Sequence, residues 1–159
     1  MLSNCGFTPI LGESKADIKF QQLIQIDKPK NRNEFLLREH LNRLLDPKIK
    51  EDYLLSFSVN ILSTKGIVTK ENQTTRYILN STTSFSIRNI NTGSIVFNDT
   101  IFGTSSYSSN INTTSYSANV SRQNSIERLL KFTAEKIVAE IEIEGAAWLK
   151  KNEIESQSN

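Results

Sequence analysis

One cysteine, one histidine and one carboxylate on an apolar parity are the groups in this chain with chemistry to offer. A lone Cys5 excludes an internal disulfide framework and any multi-cysteine metal site. A lone His40 removes most histidine-based metal and catalytic arrangements, and it sits on a helical stretch one position from Leu41, where a surface or boundary histidine is expected. Asp99 falls between Phe97 and Ile101, on the inward side of a strand pattern. Buried there, it would be a carboxylic acid held protonated, the form a general acid needs. At a strand end or bulge it is simply solvated, which is the simpler reading. No nucleophile has a base placed to activate it, no Gly-rich loop cradles a phosphate, and no carboxylate pair has metal-ligand spacing. The chain reads as non-enzymatic, with no cofactor and no metal.

The elements that would position these residues are legible from periodicity. Tyr53, Leu55, Phe57, Val59 and Ile61 alternate with Ser56, Ser58 and Asn60. Tyr77, Leu79, Phe85 and Ile87 oppose Arg76, Asn80, Thr82, Ser84, Ser86 and Arg88. A third run sets Ile95, Phe97 and Ile101 against Asn98 and Thr100. A period of two with one greasy and one polar face predicts an antiparallel sheet buried on one side. Asn91-Thr92-Gly93 supplies a hairpin, with Gly free to take the positive φ. The outer face is mostly Ser, Thr and Asn, and so either meets something polar or is solvated.

Before these strands, Asp17–Lys28 alternates Ile18, Phe20, Ile24 and Ile26 and predicts a further strand closed by Pro29. Asn31–Leu45 predicts a helix, capped by Asn31 with Glu34 completing the box and striped by Leu37, Leu41, Leu44 and Leu45. After the strands, Gly103–Ser121 is rich in Ser, Asn and Thr. A long helix begins near Ser115, striped by Ile126, Leu129, Leu130, Ala134, Ile137, Val138 and Ile141. Gly145 weakens or ends it, and Trp148 is either a last anchor on the sheet or an exposed contact. The expected fold is α+β: a two-layer sandwich, a four-stranded mostly antiparallel sheet covered on one face by two helices in the order β-α-β-β-β-α. Its first strand pairs in parallel after a crossover. Three segments result: a tether over 1–16, an α/β domain over 17–143, and a helix extension with a frayed tail over 144–159.

The 159 residues suit one domain that buries about two thirds of its unfolded surface. Lys+Arg 19 against Asp+Glu 17 is too balanced for a nucleic-acid binder. No run approaches the eighteen or so apolar residues of a membrane-spanning helix. Near the start, Cys5 is either an incidental thiol or the lipidation site of a bacterial lipoprotein, with Leu2 three residues before it. From these residues alone the first is simpler.

The ordered motifs are nevertheless similar to a known family. Cys5-Gly6-Phe7-Thr8-Pro9-Ile10-Leu11-Gly12 resembles the start of the mature LPS-assembly lipoprotein LptE, particularly its α-proteobacterial branch. The resemblance continues through Leu36-Leu37-Arg38, Thr75-Arg76-Tyr77, Asn91-Thr92-Gly93, Ser106-Tyr107 and Ile126-Glu127-Arg128-Leu129, spanning Cys5 to about Ile141. It implies a sheet of four strands backed by two helices, as the periodicity does. It further implies a non-enzymatic lipoprotein, lipid-anchored at Cys5 on the periplasmic side of the outer membrane. Such a protein plugs the LptD β-barrel, assists its assembly and helps deliver lipopolysaccharide. Gly6 after the cysteine resembles outer-membrane sorting, and lipidation requires an export leader upstream; with Met1 as the true start the chain would stay cytoplasmic. By the same resemblance, Lys65 and Lys70 in the turn between the first two meander strands, with Arg76 after it, are candidate lipopolysaccharide-binding residues. A second cationic grip is not evident, since the loop before the last helix has no Lys and the nearest cation is Arg122. The rival expectation is a generic periplasmic or cytosolic protein-interaction module of the same fold, using its polar face or a sheet edge.

Overall fold

The computed structural model describes residues 19–68, 74–110 and 114–157. A 3-10 turn, Phe20–Leu23, leads into strand β1, Ile24–Ile26. Helix α1 comes next over Arg32–Leu44, then strands β2 (Tyr53–Val68), β3 (Thr74–Asn89) and β4 (Ile95–Asn110), and helix α2 over Ser115–Gln157. The sheet is four-stranded in the order β1-β2-β3-β4, with β1 parallel to β2 and the rest an antiparallel meander. Both helices pack on one face, as the periodicity predicts.

Local chemistry sets the boundaries. Asn31 Oδ1 accepts from Glu34 N at 3.0 Å, which caps α1, and Glu34 Oε2 reaches back to Lys30 N at 2.7 Å. The β3–β4 hairpin turns on Gly93 at φ +72°, while Asn89 Oδ1 accepts from Asn91 N and Thr92 N at 2.9 and 3.0 Å. The core is one cluster. Leu37 and Leu41 of α1 are buried in it together with Ile24 and Leu55, and so is the whole predicted α2 stripe from Ile126 to Ile141, with α2 lying mainly against β4 and α1.

Several expectations need correction. Of the strand predicted over Asp17–Lys28, the described part from Lys19 holds a 3-10 turn and three strand residues, with Phe20 turned into the core against Tyr53 at a ring-centroid distance of 4.7 Å. Leu44 is exposed; its place in the buried layer is taken by His40, which is packed rather than at the surface. Ile95 lies on the outer face, because the β3–β4 register shifts between Ile87 and Arg88 and the extra residue, Val96, flips its parity. The polar stretch after Gly103 is strand as far as Asn110. Gly145 does not end α2. It is buried, and a methyl group there would overlap the Phe20 ring, so glycine lets the helix lie against the N-terminal turn.

Candidate functional site

Three 16-residue strands make the outer face, each roughly 50 Å long at the usual rise. Its cross-strand rows are polar: Ser58 beside Ser84 and Thr100, Ser56 beside Ser86 and Asn98. They satisfy one another. Ser84 and Thr100 hydroxyls lie 3.2 Å apart, Thr104 Oγ1 donates to Asn80 Oδ1 at 3.2 Å, and Ser56 Oγ donates to Asp27 Oδ2 at 2.9 Å. The sheet curves here into an open hollow of about 670 Å³, with Lys30 at its rim. Among the outward strand residues from Leu54 to Thr64 and from Arg76 to Ser108, only Arg76 and Arg88 carry charge. Leu62, Ile95 and Phe102 are exposed apolar exceptions, at 61%, 53% and 72%.

The candidate residues are distributed rather than gathered. Cys5 and Lys70 lie outside the described residues. Lys65 is not in a turn: β2 extends past it, it pairs with Tyr77, and it is exposed on the helix side of the sheet. Arg76 is exposed on the opposite, outer side, where Nε and Nη2 donate to Ser106 Oγ at 3.3 and 3.0 Å. The sheet therefore separates these two cations. On the helix side, next to Lys65 in register, Tyr77 and Tyr107 stack with centroids 5.0 Å apart.

Asp99 pairs with Phe85 on the inward parity and is nonetheless exposed, because β4 is an edge strand; Thr100 N donates to its carboxylate at 2.6 Å. Position explains it. Inward-facing charges on edge strands deter further pairing. His40 is buried between α1 and α2, close to Glu127 and Lys131. Its pKa is lowered, first by burial and then by Arg43 and Lys131, against the opposing pull of Glu127 and Glu135. Among the described residues no group of three or more His, Cys, Asp or Glu side chains is placed to hold a metal ion, and no helix is long and apolar enough to cross a membrane. Trp148 anchors α2: its indole N–H donates to Tyr53 Oη at 3.2 Å.

Two contacts escaped the sequence reading. Gly103 admits α2, since a Cβ there would stand 2.8 Å from Leu129 Cδ1 and 2.9 Å from Ser81 Oγ. Ser125 Oγ donates to Ser106 O at 3.1 Å, fastening α2 to the margin of β4. The first could have been suspected from a glycine inside a strand pattern. The second has no sequence signal.

No protein-family model matches this chain, and no curated protein matches it. Solved structures do. A candidate lipoprotein from Caulobacter crescentus CB15 superposes with a TM-score of 0.63 at 22% identity, over 82% of this chain and 92% of that one. The rare lipoprotein B from Shewanella oneidensis gives 0.54 at 11% identity, over 84% and 96%. This chain is similar to both in fold.

Proposed function

We propose that this chain is a non-enzymatic lipoprotein of the bacterial outer membrane, anchored through Cys5, which plugs an LptD-like β-barrel and helps deliver lipopolysaccharide. The observation that carries the reading is the outer face. It is long, bears charge only at Arg76 and Arg88 among its outward strand residues, and is mostly hydroxyl and amide groups, some of them paired across strands. Such a face is matched to the lumen of a transmembrane barrel, which is polar within an apolar band about 25 Å tall. The lipoprotein descriptions of the two fold neighbours and the family motifs from Cys5 to Ile141 support the same assignment. Several acyl chains on Cys5 would make a stable anchor where one would not. Lys65, Lys70 and Arg76 are the proposed contacts for the phosphates and carboxylates of lipopolysaccharide. With Lys65 and Arg76 on opposite faces, they would straddle the far end of the β2–β3 hairpin.

Co-expression with the barrel tests this. The chain is expected to co-purify with the barrel, and Ser84→Glu with Thr100→Glu, which put charge into the hollow, to abolish co-purification without unfolding the chain. A barrel that assembles without the chain, or an association indifferent to those substitutions, would sink the proposal.

A further inference from the structure

Strand β1 pairs with β2 only at Tyr53–Leu55, so among the described residues nothing takes up the edge of β2 from Phe57 onward. One bond fixes which groups are free. Leu55 O accepts from Asp27 N at 2.9 Å, so Leu55 turns its backbone groups away from β3. In an antiparallel strand the N–H and C=O of one residue point to one side, and neighbours alternate. Phe57, Val59, Ile61, Ser63 and Lys65 therefore present theirs to the open edge. Their side chains share the helix-side face, where cover thins outward: Phe57 and Val59 are buried, Ile61 is half-buried, Ser63 and Lys65 are exposed.

The opposite edge is finished differently. By the same alternation β4 turns out the groups of its even-numbered residues, and Ser125 already occupies Ser106 O. Val96 bulges, and Asp99 faces inward. On β2 the one irregularity among the described residues comes only after Lys65, so the ladder from Phe57 to Lys65 is regular.

We propose that the β2 edge pairs antiparallel with β2 of a second copy of this chain, about a two-fold axis at Ile61. In that register Ile61 meets Ile61 of the second copy, Val59 meets Ser63, and Phe57 meets Lys65. Every edge-facing group from Phe57 to Lys65 is satisfied. The half-buried Ile61 gains apolar cover, the Lys65 stem lies along the Phe57 ring, and no like charges meet. The edge carries one charge, so nothing in it calls for an oppositely charged partner. The pairing is isologous and closes at two copies, whereas joining β2 to β4 would run head to tail. This inference is independent of the barrel reading, because it concerns the chain alone and a different surface.

Single cysteines in a Cys5→Ser background test it. Cα atoms of such a directly opposed pair lie about 5.5 Å apart, within disulfide range. Ser58, by contrast, would face Thr64 of the second copy, leaving the two Ser58 residues about 20 Å apart. The full chain is expected to have twice its monomer mass by light scattering, Ile61→Cys to cross-link on oxidation, and Ser58→Cys not to. Ser63→Pro removes an edge N–H and no β2–β3 bond, so it is expected to give a folded monomer by circular dichroism and light scattering. A monomeric chain at every concentration would overturn the proposal, and is the result expected if residues 1–18 or another protein's strand take the edge instead. Equal cross-linking at both positions, or a dimer unaffected by Ser63→Pro, would overturn it as well.

Discussion

The two ends of the sheet are made by the same strands and are built in opposite ways. Near β1 and the C-terminal half of α2, the helix-side face carries Tyr53, Leu55, Phe57, Phe85, Ile87 and Phe97, and large side chains fill the space under α1. Further along, the small residues Thr83, Ser81, Gly103 and Ser105 interrupt an inward set that still holds Ile61, Leu79, Tyr77 and Tyr107, and α2 comes close enough for Leu129 to lie over Gly103. The first end holds the layers apart with volume. The second brings them together by removing it. Large rings and branched side chains therefore fill the first end, while the second sets small polar residues beside the buried Leu79 and the Tyr77–Tyr107 stack.

The comparison is most sharply broken at the large-residue end. Leu41→Ala removes a side chain with no exposure and is expected to cost about 2–5 kcal/mol in chemical denaturation. A loss below that range would mean α1 contributes little to the core. Next comes Gly145→Ala. Alanine is the better helix former by about 1 kcal/mol, yet the overlap with the buried Phe20 ring is expected to leave the variant about 1–3 kcal/mol less stable. Gain of stability here would refute the close-approach argument. Gly103→Ala is expected to lose about 1 kcal/mol or less, since it meets the ends of two side chains that can give way. If it costs more than Gly145→Ala, the two ends have been ranked wrongly.

His40 sharpens the contrast in another way. Its folded pKa is lowered, so the unfolded chain binds the extra proton, and stability falls as pH drops below the unfolded value of about 6.5 towards the lowered one. Melting temperatures across that window should lose part of their slope in His40→Gln, and an unchanged slope would assign it to other groups. The smallest effect is Arg76→Ala. Exposed and, among the described residues, with its side chain bonded only to Ser106, it should change stability by no more than about 0.5 kcal/mol. A large loss would make it a structural residue instead of a candidate contact.

The sequence by itself determined most of the fold. The alternation from Tyr53 to Ile61, the α2 stripe from Ile126 to Ile141, the Asn31 cap and the Gly93 turn are each local signals whose physics acts within a few residues, and the structure bears them out. The candidate contacts were less legible, because Lys65 and Arg76 look adjacent along a hairpin while side-chain alternation puts them on opposite faces. Tertiary structure alone decided the rest. Gly145 reads as a helix breaker until Phe20 is seen to need its space, and Ile95 reads as core until the Val96 bulge turns it out. His40 reads as a surface residue until α2 covers it. In each case a residue distant along the chain, or a one-residue change in pairing register, supplies the deciding contact, and periodicity within one element carries no information about either.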